Sequence, residues 1–290
     1  MKKAIKLSHI IFIVEQNTPK EDICAFCTNV NKSLPIIRLT YHSYDNLSED
    51  DLYNLFKKYF NQKDDLLIIT DSQKVINYTL NIGIATVGLY TERNKKDILA
   101  GVLYCIEDPE FIDPLRVVKM WQRFHNIPWT VTETDRLIIR EQTIDDLDNL
   151  YGIYSHPDIT KYMENLYENR EDEYKYLEDY ISHQYRFFEY GIWALCKKDD
   201  NTFIGRAGLS LREGSDILEL GFVIGKEYQK QGYAYEACKA IINYAYDELE
   251  ADKISALCRP ENTDSVKLLQ KLGFKGKKQR GMLSFLLTKS

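Results

Sequence analysis

Residues 217–245 place an apolar run, a small-residue loop and an amphipathic helix in immediate succession, and few folds accommodate that order. Ile217 to Ile224 reads as a strand, Gln229-Lys230-Gln231-Gly232-Tyr233-Ala234 follows, and a helix begins near Tyr233. Its face Ala234, Ala237, Cys238, Ile241, Ile242 and Ala245 has helical spacing, which places Cys238 in a core. A helix start carries backbone N–H groups without intrahelical partners, and the helix dipole favours negative charge there. Gly232 allows a ligand close to the backbone, and Ala234 keeps the first turn uncrowded. The unit therefore predicts an anion site suited to a pyrophosphate-bearing cofactor.

The flanking segments read as mixed α/β. Thr143-Ile144-Asp145-Asp146 opens a helix that carries Leu147, Leu150, Tyr151 and Tyr154 toward a core. Trp193 to Lys197, Phe203 to Leu211 and Ile217 to Ile224 are strands joined by the polar turns Lys198 to Asn201 and Arg212 to Asp216, an antiparallel meander with Trp193 in its core. Lys253 to Cys258 is a further strand. Asn262 begins a last helix, Gly273 ends it, and Met282 to Thr288 can close the sheet.

Three motifs in order carry a resemblance. Gln-x-x-Gly-x-Ala after Glu219-Leu220-Gly221-Phe222-Val223-Ile224 is similar to the acetyl-CoA signature of the GNAT superfamily of N-acetyltransferases. Thr134-Asp135-Arg136-Leu137-Ile138-Ile139-Arg140 resembles the first strand of its Rim-type branch, which modifies ribosomal-protein N-termini. Asn262-Thr263-Asp264-Ser265 with Leu268-Leu269-Gln270-Lys271-Leu272-Gly273-Phe274 resembles that branch's closing helix and turn. The resemblance spans Glu133 to Lys289. It implies acetyl-CoA as acyl donor, with Phe222, Val223 and Ile224 offering backbone groups to the pantetheine arm. Gln229, Lys230, Gln231, Gly232, Tyr233 and Ala234 would hold the pyrophosphate, and Asn262 would bond the arm.

Acetylating an amine needs a neutral nucleophile, and an alkyl ammonium titrates near about pH 10.4, so a general base or a desolvating pocket is required. Alternation puts Leu218, Leu220, Phe222 and Ile224 on one face of their strand and Glu219, Gly221 and Val223 on the other. If the apolar face packs on helices, Glu219 points to the cleft as the candidate base. A backbone N–H near Val223 would stabilise the oxyanion. Many GNAT enzymes carry a tyrosine acid where Leu269 stands, so Ser265 or water must protonate the leaving thiolate. The acceptor is a protein N-terminus or a small-molecule amine. The segment Asp158 to Tyr190, with Tyr162, Glu164, Tyr167, Glu168, Glu171, Glu173, Tyr174 and Tyr176, either lines a pocket for a cationic amine or forms a solvated helix pair.

The first half alternates strand and helix. Strands are expected at Ile10 to Val14, Pro35 to Tyr41, Leu66 to Thr70, Ile84 to Leu89 and Val102 to Ile106. Helices are expected through Leu52, Leu55, Phe56 and Tyr59, through Val75 and Leu80, and from Leu115 to Phe124. Continuous apolar strands predict a parallel sheet covered on both faces. Thr70-Asp71-Ser72, Asn81 to Gly88 and Gly101 to Ile106 resemble a shortened haloacid dehalogenase (HAD) fold. Active members carry two aspartates after the first strand, but Val14-Glu15-Gln16-Asn17-Thr18 stands there, which removes the nucleophile and the magnesium ligand. The expected architecture is a small parallel-sheet HAD-like α/β domain, non-catalytic, over residues 1–127, then a mixed-sheet GNAT acyltransferase domain over 128–290. The junction His125 to Val131 is short and apolar, unlike a Gly/Ser tether.

Composition sets the remaining bounds. A net charge of -6 argues against a nucleic-acid binder, and no apolar run approaches membrane-spanning length, the N-terminal Ile10 to Val14 being strand-sized. Met1-Lys2-Lys3 is basic, but Glu15 follows that run and no small-residue cleavage site appears, so the expected compartment is the cytoplasm. Cys24-Ala25-Phe26-Cys27 has no second pair to complete a zinc site and reads as two free thiols on a helix; no metal is expected. Two rival readings remain: a CoA-binding sensor that has lost catalysis, and a HAD-type phosphatase with an acetyltransferase appendage.

Overall fold

The computed structural model describes residues 6–289 apart from Asn17, Pro19, Glu92, Glu213 and the side chain of Asp22. The basic Met1-Lys2-Lys3, Asn17 of the first loop, Glu213 of the meander turn and the terminal Ser290 lie outside the described residues. The chain divides into two compact units, Met1–Ile127 and Pro128–Ser290.

The first unit runs β1 (His9–Glu15), α1 (Lys20–Ser33), β2 (Arg38–Tyr44), α2 (Glu49–Phe56), β3 (Leu66–Thr70), α3 (Gln73–Asn81), β4 (Ala85–Leu89), β5 (Cys105–Ile106) and α4 (Pro114–Phe124). All four strand pairings are parallel, in the order β2-β1-β3-β4-β5. Strands buried on both faces explain the unbroken apolar runs. Ile10, Phe12 and Val14 share one core with Phe26 and Trp121, and Ile11 and Ile13 share the opposite core with Phe56 and Val75. The capping signal before α2 is a reciprocal box between Ser48 and Asp51.

Two expected strands are displaced. β2 starts at Arg38, because Pro35 has no N–H to give a ladder and residues 35–36 turn instead. The run from Val102 shrinks to Cys105–Ile106, following a turn at Ala100 and Gly101 (φ 90°). Asp71 is buried at the end of β3. Its carboxylate accepts from the Glu15 backbone N–H at 3.2 Å, the Thr18 hydroxyl at 2.7 Å and the Tyr44 hydroxyl at 3.2 Å. Asn94 Nδ2 donates to the carbonyls of Asp71 and Leu89, both at 3.0 Å, and Arg93 pairs with Glu15. Burial pushes the Tyr44 phenol well above its ordinary value, with the Asp71 and Glu15 carboxylates adding to it, so the hydroxyl stays a donor.

The second unit opens with β6 (Thr130–Glu133) and β7 (Leu137–Arg140), then the helices α5 (Leu147–Tyr154), α6 (Pro157–Thr160), α7 (Arg170–Asp179) and α8 (Arg186–Phe188). The rest is β8 (Ile192–Lys197), β9 (Phe203–Leu211), β10 (Leu218–Ile224), α9 (Tyr233–Asp247), β11 (Lys253–Cys258), α10 (Thr263–Lys271), β12 (Lys275–Gln279) and β13 (Met282–Thr288). These strands form one mixed sheet in the order β12-β13-β11-β10-β9-β8-β7-β6. The meander β8-β9-β10 is antiparallel, as expected, and β13 pairs with β11. β6, with polar alternation, and β12, exposed throughout, gave no apolar pattern to read.

One sheet face packs Ile204, Leu209, Leu220 and Ile254 against Ala237, Cys238 and Ile241 of α9 and Leu269 of α10. The other packs Ala194, Cys196 and Val223 against Leu147, Leu150 and Tyr154 of α5. Trp193 and Cys238 are core residues. Between α7 and α8, Tyr180–Tyr185 form a π turn, a local widening that often marks functional regions. It brings two phenols onto one backbone position: Tyr180 Oη accepts from Ile192 N–H at 2.8 Å, and Tyr185 donates to Ile192 O at 2.5 Å. Gly191 is required beside them, because a Cβ there would fall 2.7 Å from Tyr180 Oη.

Candidate active site

The site begins where two parallel neighbours part. β10 and β11 pair only at Leu218↔Ile254 and Glu219↔Ser255, although β10 continues to Ile224 and β11 to Cys258. On its other edge β10 pairs with β9 along its whole length, to Ile224↔Gly205. Gly221, Phe222 and Val223 thus present one backbone edge to a gap inside the sheet rather than to a strand. Backbone polar groups demand partners, so such a gap is a ready binding edge for an amide-bearing ligand.

The chain leaving β10 builds the second part. Gln229 Nε2 donates to Ile224 O at 3.0 Å and closes the turn, and Lys230 (φ 61°) and Gly232 (φ 88°) take left-handed conformations. Alternating backbone handedness of this kind turns successive N–H groups into an anion-binding concavity. The 15-residue helix α9 starts immediately after Gly232, with no side-chain cap on its first turn. Arg136, quoted above only as part of a motif, fastens this turn from a distant loop. It pairs with Glu236 at 2.6 Å, donates to Gln231 O at 3.1 Å and lies 4.3 Å from the Tyr233 ring centroid. Thr134 also donates to Glu236, at 2.5 Å. Burial opposes ionisation of Glu236, but the Thr134 hydroxyl and the Arg136 backbone and guanidinium outweigh it and hold the carboxyl below its ordinary value.

A cavity of about 550 Å³ runs along both features, within the range of roughly 300–1,000 Å³ typical of ligand sites. Phe222, Val223, Ile224, Gln229, Lys230, Gly232, Tyr233, Ala234, Asn262 and Ser265 all line it, so the structure brings together nearly every residue proposed from the sequence. Gln231 is the exception in the loop: its side chain turns back to donate to Glu227 O at 2.7 Å. Four lysines the sequence reading did not single out as a set, Lys161, Lys226, Lys230 and Lys271, face two lining acids, Asp158 and Asp264. In a chain of charge -6 this local positive excess favours a phosphate-bearing ligand. Lys226 and Asp158 form an ion pair on the lining. Asn262 caps α10, accepting from Ser265 N–H at 3.3 Å.

Glu219 stands apart. It lines neither this cavity nor the smaller one described next, and Arg212 holds its carboxylate at 2.7 Å. It does share the strand face of Gly221 and Val223, as alternation required. Leu269 is 1% exposed in the core, and Leu268 lines the cavity instead, so position 269 faces away from any bound ligand.

The smaller cavity, about 190 Å³, adjoins the larger at Met163, Phe222 and Val223. Tyr154, Tyr176, Tyr180, Gln142, Ile192, Arg206 and Gly221 complete most of its wall. Arg206 donates from Nε and Nη2 to Tyr154 Oη, at 2.9 and 2.6 Å. Of the tyrosine-rich, acidic segment Asp158, Tyr162, Met163, Tyr176 and Tyr180 are among the residues that reach the cavities; Glu164, Glu168, Glu171 and Glu173 do not. Glu173 is buried and accepts from Tyr167 N–H at 2.9 Å. Arg206 and Gln142 escaped the sequence reading because their partners, Tyr154 and Ile192, are about fifty residues away in each case. Elsewhere, Cys24 and Cys27 are free thiols, and burial pushes Cys27 up to about 11.

Residues 136–275 match the family model described as Acetyltransferase (GNAT) domain. The uncharacterized N-acetyltransferase YnaD of Bacillus subtilis (strain 168) is 29% identical over 142 residues, 49% of this chain and 81% of that protein. The uncharacterized N-acetyltransferase p20 of Bacillus licheniformis is 28% identical over 142 residues, 49% of this chain and 80% of that protein. Among solved structures, a GNAT-family acetyltransferase from Bacillus anthracis superposes with a TM-score of 0.47 and 22% identity, covering 54% of this chain and 96% of that one.

Proposed function

The second unit of this chain is a GNAT acetyltransferase domain, an enzyme fold, and from that premise we propose transfer of an acetyl group from acetyl-CoA to a primary amine in one direct, sequential step. The observation that carries the reading is the parting of β10 from β11 beside the loop that opens α9. The backbone edge of Phe222 and Val223, with Ile224 beside it, suits the amides of a pantetheine arm. Gln229 to Ala234 and the surrounding lysines suit its phosphates. Acetyl-CoA supplies the thioester carbonyl.

The protein's own groups do the rest. A backbone N–H near Val223 stabilises charge on the reacting oxygen. Glu219, paired with Arg212 and two residues along the same strand face from Gly221, receives the amine proton through water. Asn262 and Ser265 hold the arm from α10, and Ser265 or water returns a proton to the thiolate, since Leu269 lies in the core. The Rim-type affiliation rests on the motifs Thr134 to Arg140 and Asn262 to Phe274. A cytoplasmic setting is supported by six cysteines that are all free.

For the first unit we read a non-catalytic α/β domain. The groups around Asp71 satisfy one another rather than facing a ligand, which supports that reading over a phosphatase. The HAD-like affiliation rests on sequence motifs alone.

Free-thiol release from acetyl-CoA across amino acids, polyamines and N-terminal peptides tests the function. Amine-dependent release is expected, falling about a hundredfold in kcat for Glu219→Gln with acetyl-CoA affinity unchanged. Tight binding of acetyl-CoA without turnover on any amine would instead establish a sensor.

A further inference from the structure

The reading of the second unit as an amine acetyltransferase says nothing of which amine, but the smaller cavity does. Its floor is one face of the sheet, where the strand register sets Val223 beside Arg206 and Ala194, and Gly221 beside Gly208 and Ile192. A Cβ added at Gly221 would find its nearest atom, Ile192 Cδ1, 3.8 Å away, so the space above that glycine is open. At about 190 Å³ the cavity has room for a small molecule.

Arg206 is the one charged residue on its lining. Its hydrogen-bond partner is the neutral Tyr154 hydroxyl, and among the described residues no carboxylate pairs with it. Tyr154 therefore fixes the guanidinium without neutralising it. Two N–H groups are occupied and three remain, in the planar fork that matches a carboxylate. A partly buried cation without a counterion favours an anionic ligand.

A second, independent group completes the site. Gln142 is 2% exposed, and its Nε2 is committed to Ile192 O at 2.7 Å. Its Oε1 accepts from no described group and is the one buried, unpartnered side-chain atom on this lining. Buried acceptors are normally satisfied, so this one leaves a place for an N–H donor.

We propose that the smaller cavity receives an amino acid, its carboxylate on Arg206 and its amine toward Gln142 and the opening shared with the larger cavity. The site rejects polyamines, because none of the acids of the Asp158 to Tyr190 segment reaches it to hold a second ammonium. The inference rests on the acetyltransferase reading proposed above.

The test compares, for the full chain, thiol release with amino acids, with the matching amines that lack the carboxylate, with amino-acid amides and with spermidine. Amino acids should exceed their decarboxylated partners at least tenfold in kcat/KM. Arg206→Met should raise KM for the amino acid at least tenfold, change kcat less, and erase the preference. Tyr154→Phe, which removes the anchor but not the cation, should raise KM by a smaller factor. Gly221→Val, which fills the floor, should remove turnover of every acceptor. Acetyl-CoA affinity of Arg206→Met and Tyr154→Phe, measured in parallel, reports that the fold is intact. Equal or better use of carboxylate-free amines, or an Arg206→Met variant that weakens all acceptors alike, would overturn the amino-acid assignment and leave the acetyltransferase reading standing. Acetyl-CoA binding without turnover of any amine would overturn both.

Discussion

Each unit of this chain has a place where a ligand site is expected from strand order, and the two places are built in opposite ways. In the first unit the order β2-β1-β3-β4-β5 is that of flavodoxin-type sheets, whose ligands bind beyond the strand ends where the order reverses, between β1 and β3. There the chain closes on itself. Asp71 collects the Glu15 N–H and the Thr18 and Tyr44 hydroxyls, and Asn94 ties β3 to β4. In the second unit β10 and β11 separate after Glu219↔Ser255, and the Ser255 hydroxyl, donating to Leu218 O at 3.3 Å, bridges them only at the paired end. A loop with two left-handed residues and an uncapped helix start lie beside the gap. The same polar inventory is spent internally in one place and left open in the other, and that contrast, more than either motif, separates the two places.

The contrast predicts different outcomes for the two places. Asp71→Ala should destabilise the first unit by about 2–4 kcal/mol, because it orphans several buried donors, while acetyl-CoA affinity stays within twofold. Denaturant unfolding and binding calorimetry on the same variant check this, and a tenfold loss of affinity would break the division of roles. Gly232→Val should act in reverse. A β-branched residue at φ 88° is strained by about 1–3 kcal/mol, so acetyl-CoA affinity should fall about tenfold or more with a smaller loss of global stability.

Glu236→Gln probes the clamp that holds the α9 turn and should cost about 1 kcal/mol near neutral pH, since Arg136 is half exposed and screened. The sign with pH is definite. The folded carboxyl titrates below its unfolded value of about 4.3, so its contribution is complete above that pH and is lost as pH falls through the lower folded value. Wild-type and variant melting temperatures should therefore converge in acid.

The sequence made the local units legible. Strands β3, β4 and β8 to β11, helices α9 and α10, and the loop through Gly232 follow from periodicity, capping and turn chemistry, all of which act within a few residues. The displaced β2 and the shortened β5 show where such signals blur, since the turns at Pro35 and at Gly101 leave the apolar pattern unchanged. Edge strands such as β12 carry no pattern, because nothing buries them.

By itself, then, the sequence determined that a strand, a phosphate-sized loop and a helix follow one another, and which residues of that unit share a face. Whether Glu219 meets a ligand or Arg212, that Leu269 sinks into the core while Leu268 faces the cavity, and that Arg206 stands on Tyr154 beside Gln142 were decided only in three dimensions. The physical reason is separation. Hydrogen bonding and burial within one helix turn or one strand pair are encoded by neighbours, whereas the gap between β10 and β11 and the company of Arg206 depend on strands and helices brought together from dozens of residues apart.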